Sequence, residues 1–217
     1  MLDDSVGLHP IGRRGFIAQT AAMSSMVAGI VRETPQQTGD WMADLTAKHR
    51  TAFDIATHRD GKPLSQARNV LDAWRDAFHA ADRDVNLVLC VHGEGIPLVL
   101  ADALWDRFRI AEQYGVAPAL QPRPMKNVFL SANVASAGLV AANETIETLQ
   151  GRGVRVVVCL NTIASATKKL SAAGFGPPDV VHDAIMKGIV PRVIIVPAML
   201  VTLTQLQERG IAYIKAS

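Results

Sequence analysis

The sequence is poor in aromatic residues, in cysteine and in net charge. Phe, Trp and Tyr make up 5% of the 217 residues and apolar residues 49%. The core must therefore be mostly aliphatic, which favours an α/β protein with a buried parallel sheet. A net charge of +2 without a basic run argues against a nucleic-acid partner. The two cysteines form no CxxC pair, which excludes a disulfide framework and a zinc knuckle but leaves one Cys90–Cys159 disulfide possible.

Several signatures of known chemistry are also missing. No G-x-G-x-x-G follows the first predicted strand, and no GxxxxGK[ST] occurs, so that dinucleotide and P-loop binding lose their main support. No G-x-S-x-G elbow of a hydrolase is present. The six histidines show neither H-x-x-x-H nor HExxH spacing. We therefore expect no metal site and no cofactor.

The N-terminal 35 residues differ from the rest of the chain. Arg13 and Arg14, one spacer, then Phe16 and Ile17 resemble the twin-arginine export signal of bacteria. The apolar run that follows, 16–31, is too short and too polar for a membrane span, so we expect no permanent membrane anchor. The pattern predicts an export signal and linker over 1–35 and a periplasmic protein. The alternative is an amphipathic first helix that packs on the domain of a cytoplasmic protein.

Residues 36–217 are predicted to form a single α/β domain. Apolar runs typical of strands alternate with segments of helical periodicity, and such alternation indicates βαβ units in a parallel sheet covered on both faces. The region 116–127 is rich in proline and is predicted to be an irregular surface excursion. The predicted strands are 50–57, 85–93, 154–162, 192–200 and 211–216. The predicted helices are 62–81, 97–115, 137–151, 164–174, 177–188 and 200–210.

Two of these strands end alike. One carries Cys90 and then His92, and the other carries Cys159 and then Asn161. Because side chains alternate along a strand, each cysteine shares a face with the polar residue that follows it. Ligands of open α/β sheets bind beyond the carboxyl ends of the strands. This pattern predicts a site there, with Cys90 inside the core and Cys159 either packed or reactive.

The residues around these strand ends have two interpretations each. His92 either makes a structural hydrogen bond at a turn or supplies a proton next to a thiol. Gly93 could let a small ligand approach the backbone, and Glu94 could bind substrate or simply be solvated. Asn161 or Thr162 could cap the following helix, whose N-terminus would favour a thiolate at Cys159.

Three segments, in this order, resemble the DsrE/DsrF-like (YchN-type) family of small sulfur-metabolism proteins. They are VNLVLCVHGEGIPLVL, LQGRGVRVVVCLNT and VIIVPAMLVTLTQLQERGIAYIKA. Cys159 falls on the cysteine of the family, Asn161 and Thr162 complete its motif, and His92 and Gly93 fall on its H-G turn. The resemblance covers about 47–217, and the excursion 116–127 departs from it as an insertion.

This resemblance implies a three-layer α-β-α sandwich with a mostly parallel five-stranded sheet, and assembly into trimers or hexamers. It also implies that the cysteine carries sulfur as a persulfide. Our first hypothesis is a sulfur-relay protein, a persulfide transferase or carrier, in which Cys159 and His92 act on a small sulfur species or a sulfur-carrier protein. The alternative is a non-catalytic oligomeric binding module with Cys159 structural or at a subunit interface.

Overall fold

A computed structural model describes residues 40–132 and 139–216 of the chain. The predicted export signal and linker, 1–35, lie outside the described residues, so that this boundary stays a prediction. Within the described ranges, no helix is both long and apolar enough to cross a membrane.

The core of the fold is a five-stranded sheet in which every strand pairs in parallel with its neighbours. The strand order is β4-β3-β2-β1-β5. This confirms the predicted α/β class and the five-stranded parallel sheet. The strands are β1 (His49–Thr57), β2 (Val85–Glu94), β3 (Arg155–Cys159), β4 (Val193–Val196) and β5 (Ala212–Lys215).

Helices connect these strands. The α-helices are α1 (Lys62–Phe78), α2 (Asp102–Arg107), α3 (Ile110–Gln113), α4 (Ile146–Gly151), α5 (Leu160–Ala172), α6 (Pro178–Lys187) and α7 (Met199–Glu208). Short 3-10 turns lie at Arg59–Gly61, Asp82–Asp84, Ile96–Val99 and Ala142–Glu144. The sequence of α1 explains why it is helical: Pro63 occupies its first turn, and Leu64, Ala67 and Leu71 are buried at helical spacing.

The helices form a layer on each side of the sheet. On one face, Phe53, Leu89 and Val156 pack in a large apolar cluster with residues of α1, α4, α5 and α6. On the other face, Cys90 and Cys159 belong to a smaller cluster with residues of α7. The α-β-α sandwich predicted from the sequence is therefore confirmed, with one helix forming the whole of the second helical layer among the described residues.

The chain leaves β3 and β4 on opposite faces of the sheet. Helix α5 follows β3 and packs in the larger cluster, whereas α7 follows β4 and packs in the smaller one. Neighbouring parallel strands whose connections diverge in this way open a crevice at their carboxyl ends, where ligands of open α/β sheets bind. Cys159 and Val196, the paired last residues of β3 and β4, lie at this switch point.

The helix predicted over 97–115 is wrong. The segment instead forms a 3-10 turn, then α2 and α3, which are separated at Arg109, a residue with a positive φ of 49°. Tertiary contacts explain the first break, at Leu100 before α2. Leu100 is extended and bridges to Ile189, and the N–H of Ala101 donates to the carbonyl of Gly188.

The helix predicted over 137–151 is also wrong in extent, because only Ile146–Gly151 is α-helical and 133–138 lie outside the described residues. Thr145 caps α4 by accepting a hydrogen bond from the N–H of Thr148. The N–H groups of Ile146 and Glu147 donate to Phe129 and Leu130, so that contacts with a distant loop set this helix start.

Two predicted strands end earlier than expected. Strand β3 stops at Cys159, and Asn161 and Thr162 lie in the first turn of α5 rather than in the strand. Strand β4 stops at Val196, because Pro197 has no N–H to donate to a ladder. The excursion 116–127 is irregular as predicted, although Asn127 is fully buried and its amide donates to three carbonyls, those of Pro97, Leu98 and Leu100.

Candidate functional site

Cys159 lies at the junction of β3 and α5. It is the last residue of the strand and at the same time the N-cap residue of the 13-residue helix. Its thiol is free and 3% exposed. Because the first N–H groups of a helix have no intrahelical partner, this position favours negative charge on a nearby atom. The structure therefore places the cysteine where a thiolate would meet the positive end of a helix.

Thr162 joins the cysteine to strand β2. Its Oγ1 lies 3.2 Å from the sulfur of Cys159 and accepts a hydrogen bond of 3.1 Å from the N–H of Gly93. The prediction that Asn161 or Thr162 caps α5 is wrong, since the cap is Cys159 itself and no side-chain cap bond forms. The hydroxyl of Thr162, held by Gly93, is instead positioned to donate its proton to the sulfur when the sulfur is ionised.

His92 forms a hydrogen bond with an acid that we did not predict. Its Nε2 lies 2.6 Å from Oδ1 of Asp54, and Oδ2 of the same carboxylate accepts a 2.6 Å hydrogen bond from the hydroxyl of Tyr213. These side chains come from β2, β1 and β5. The Asp54 side chain is 13% exposed and that of His92 is 24% exposed. The imidazole is thus held by a mostly covered carboxylate and still reaches solvent.

His92 and Cys159 are close in the sheet but do not hydrogen bond. Continuing the β2–β3 register one residue beyond the pair Val91 and Val158 places His92 beside Cys159. Their Cα atoms are then about 5 Å apart by the spacing of strands. Among the described residues, the sulfur has Thr162 as its single hydrogen-bond partner. The imidazole is therefore a neighbour of the thiol without being its proton partner in this state.

Cys90 lies inside the core, as predicted. It is fully buried, and its pKa is raised well above the ordinary value of a thiol by that burial and by the Asp54 carboxylate. It pairs across the sheet with Val157, two residues before Cys159. The Cα atoms of the two cysteines are then roughly 8 Å apart by strand geometry, beyond the reach of a disulfide. Both thiols are free.

The remaining predicted residues lie around the same edge. Gly93 has a positive φ of 53°, and its N–H is taken by Thr162. Glu94 is exposed and forms an ion pair of 3.0 Å with Lys169 of α5, so that it already has a cationic partner. Asn161 is exposed in the first turn of α5, and its amide has no hydrogen bond within the described part of the chain. Asn161 is thus available to a ligand.

Asp54 and Tyr213 are the site residues that the sequence reasoning missed. Asp54 is the one acidic residue inside the otherwise apolar and neutral strand segment TAFDIAT, and a carboxylate within a central strand is a signal that could have found it. Tyr213 lies in the segment IAYIKA, in the edge strand β5, and β1 lies between this strand and the β2 strand of His92. Its partnership with Asp54 depends on β5 pairing with β1.

Two clefts lie at the opposite, amino edge of the strands. One, of about 490 Å³, is lined by residues that include Lys48, Arg50 and Arg209, and the other, of about 370 Å³, includes Asp82 and Arg152. In the second cleft, Asp82 and Arg152 already form an ion pair of 2.9 Å with each other. In the ranges that the structure describes, no three His, Cys, Asp or Glu side chains gather to hold a metal ion. The chemistry-bearing groups are at the carboxyl edge.

Comparisons with known proteins do not extend this description. No protein-family model and no curated protein matches the sequence. Among solved structures, a protein of unknown function from Methanobacterium thermoautotrophicum, MTH1491, is similar with a TM-score of 0.42 and 16% identity. The match covers 77% of this chain and 98% of that chain. A likeness of this degree carries no argument about function.

Proposed function

We propose that the protein is a thiol-based sulfur carrier in which Cys159 accepts sulfane sulfur and holds it as a persulfide. The position of Cys159 carries the proposal: it ends β3 at the switch point of the sheet and caps α5. A ligand site is expected at this place in an open α/β sheet, and a helix N-terminus stabilises an anion there. The resemblance to DsrE-like proteins at the same cysteine supports the same chemistry.

The proposed loading step needs no external oxidant. The Cys159 thiolate attacks a sulfane sulfur of a polysulfide, a new S–S bond forms, and the neighbouring S–S bond of the polysulfide breaks. The shortened polysulfide leaves with the electron pair, and Cys159 remains as the persulfide. The hydroxyl of Thr162, 3.2 Å from the sulfur, donates to the thiolate before the attack.

The burial of the sulfur limits the donor. At 3% exposure, Cys159 offers little surface to the cysteine of another protein, whereas a polysulfide anion is narrow and unbranched. Helix α7 also begins at this edge, with Ala198 as its N-cap, so that two helices start directly after the paired ends of β3 and β4. The partial positive charges of their N-termini favour an anionic donor. We therefore propose a small inorganic sulfur species as the donor.

Alkylation mass spectrometry tests this function. Purified protein is treated with inorganic polysulfide, freed of excess reagent and alkylated, and the mass of the Cys159 peptide is measured. We expect one additional sulfur on Cys159 that a reductant removes and that Cys159→Ser abolishes. Cys90→Ser is the matched control and should load like the wild type, because Cys90 is fully buried. Wild-type protein that never gains sulfur at Cys159 rejects the proposal.

A second candidate is a non-catalytic oligomeric binding module. The exposed apolar residues Leu200 and Val201 at the start of α7, 74% and 57% exposed, favour it because they suit contact with a second copy. Sedimentation analysis tests this candidate with Leu200→Ser and Val201→Ser. Loss of an assembled species, together with an inert Cys159, would favour the module, and a monomeric wild type would exclude it.

A further inference from the structure

The pair of His92 and Asp54 has no task in the loading step, since the sulfur of Cys159 bonds to Thr162 and not to the imidazole. We infer that His92, held by Asp54, is a general base that deprotonates the thiol that receives sulfur from Cys159. The inference rests on the proposed function of Cys159 and names its second substrate, a low-molecular-weight thiol.

The geometry of the pair suits a base. Asp54 lies beside Cys90 in the sheet, on the face that also carries His92, and its other oxygen is fixed by the hydroxyl of Tyr213. A carboxylate that is held at both oxygens fixes the ring orientation of the imidazole. With Nε2–H donated to Asp54, the other ring nitrogen, Nδ1, is the acceptor. It has no hydrogen-bond partner within the residues described.

The position of His92 and Asp54 suits a role toward the acceptor thiol rather than toward the polysulfide donor. Continuation of the β2–β3 register places His92 beside Cys159 in the neighbouring strand, with their Cα atoms about 5 Å apart by strand spacing. A persulfide places its outer sulfur one S–S bond, about 2 Å, beyond the cysteine sulfur. A small thiol that contacts His92 can therefore reach the outer sulfur. With Cys159 covered and His92 24% exposed, a small thiol fits this approach better than a protein cysteine.

The proposed transfer step is balanced. Nδ1 of His92 takes the proton of the acceptor thiol, and the thiolate attacks the outer sulfur of the Cys159 persulfide. A new S–S bond forms, the S–S bond to Cys159 breaks, and Cys159 leaves as the thiolate that its helix stabilises. The imidazolium returns the proton to the products, which are a small persulfide and the free enzyme thiol. Asp54 acts through His92 as a positioning residue.

A comparison of two thiols tests the inference. Persulfide-loaded protein is mixed at pH 7 with 2-mercaptoethanol, which is largely protonated, or with thionitrobenzoate, which is already ionised, and loss of the Cys159 persulfide is timed. For 2-mercaptoethanol we expect His92→Gln to lower the rate about 100-fold and Asp54→Asn about 10-fold, since general bases contribute on the order of 100-fold or more. For thionitrobenzoate both variants should stay within about twofold of the wild type, because an ionised thiol needs no base.

The matched control is Asp76→Asn, which makes the same chemical change on the exposed surface of α1 and should leave both rates unchanged. An equal slowing with both thiols would mean that the variants only disturb the structure, and it would overturn the inference. No slowing with either thiol would overturn it as well.

A mixed disulfide separates the two proposals. Cys159 is converted to its mixed disulfide with 2-mercaptoethanol by treatment with 2-hydroxyethyl disulfide, which needs no sulfane-sulfur donor. Cleavage of this disulfide by the same two thiols, with release of the Cys159 thiol, is then measured. If polysulfide never loads Cys159 but this cleavage depends on His92 only for 2-mercaptoethanol, the proposed function fails and the base stands. If polysulfide loads Cys159 but the cleavage does not depend on His92, the proposed function stands and the general base fails. A Cys159 that resists even this reagent contradicts both.

Discussion

The hydroxyl oxygen of Thr162 lies 3.2 Å from the sulfur of Cys159, within the first turn of the helix that the cysteine caps. The same oxygen accepts a hydrogen bond from the N–H of Gly93 and so ties the end of β2 to the end of β3. One buried hydroxyl therefore links the two strand ends and is also the hydrogen-bond partner of the Cys159 sulfur.

Replacing Thr162 by Val removes the hydroxyl but keeps nearly the same side-chain shape, so that the two roles of the hydroxyl can be tested. The change leaves the N–H of Gly93 unpaired and should lower the free energy of unfolding by about 1–3 kcal/mol, measured by urea denaturation. Polysulfide loading should slow by about tenfold, because the thiolate loses its hydroxyl donor. Thr162→Ser keeps the hydroxyl and should restore loading. A serine variant as slow as the valine variant would show that the hydroxyl has no part in reactivity.

Gly93→Ala tests the backbone near the carboxyl end of β2. Gly93 has a φ of 53°, and an added Cβ would lie 3.0 Å from the carbonyl oxygen of Ala56. We expect a loss of about 1–3 kcal/mol in unfolding free energy from the left-handed backbone and this close contact. Gly151→Ala is the control, since it lies in α4 with nothing within 4 Å of the added atom. Equal stability of the two variants would contradict the strain.

We expect the hydrogen bond of Tyr213 to make the stability of the fold decrease with rising pH in alkaline solution. Its hydrogen bond to Asp54 raises the pKa of the phenol above the ordinary value of 10.0. The folded protein then holds this proton more tightly than the unfolded chain. The stabilisation is present below the ordinary pKa and is lost as the pH rises through the folded-state value.

The measurement is a series of denaturation curves between about pH 8 and 11, a range that brackets the ordinary tyrosine pKa. Tyr213→Phe removes the titrating phenol and should flatten the decline in stability. The variant should also be less stable than the wild type below pH 10. Wild type and Tyr213→Phe curves that fall in parallel would refute the link between this hydrogen bond and alkaline stability.

The predicted export signal is tested with Arg13 and Arg14, which lie outside the described residues. The first 35 residues are fused to a reporter in a bacterium with a working twin-arginine pathway, and the cell is fractionated. We expect the reporter in the periplasm, and Arg13→Lys with Arg14→Lys should retain it in the cytoplasm, since a receptor reads this address. Arg32→Lys is the control and should be exported. Export that survives the double change rejects the signal.

Parts of the fold could be predicted because their signals are local. The near-continuous apolar run 85–93 indicated a central parallel strand, and the helical spacing of Leu64, Ala67 and Leu71 indicated α1. The helix predicted over 97–115 failed because its interruption at Leu100 depends on a bridge to Ile189, some ninety residues away. Short-range periodicity carries no information about such a partner.

For the site, the sequence by itself determined that two apolar strands each carry a cysteine near the carboxyl end, one followed by His92 and the other by Asn161. Side-chain alternation then placed Cys90 and His92 on one face of β2, but it failed for Cys159 and Asn161, because β3 ends at Cys159 and Asn161 lies in α5. Only the tertiary structure decided what these groups touch. The crossing of α7 to the second face created the switch point at Cys159, and the return of β5 beside β1 brought Tyr213 to Asp54. Both depend on strand order, which is set by the packing of distant segments and not by any local pattern.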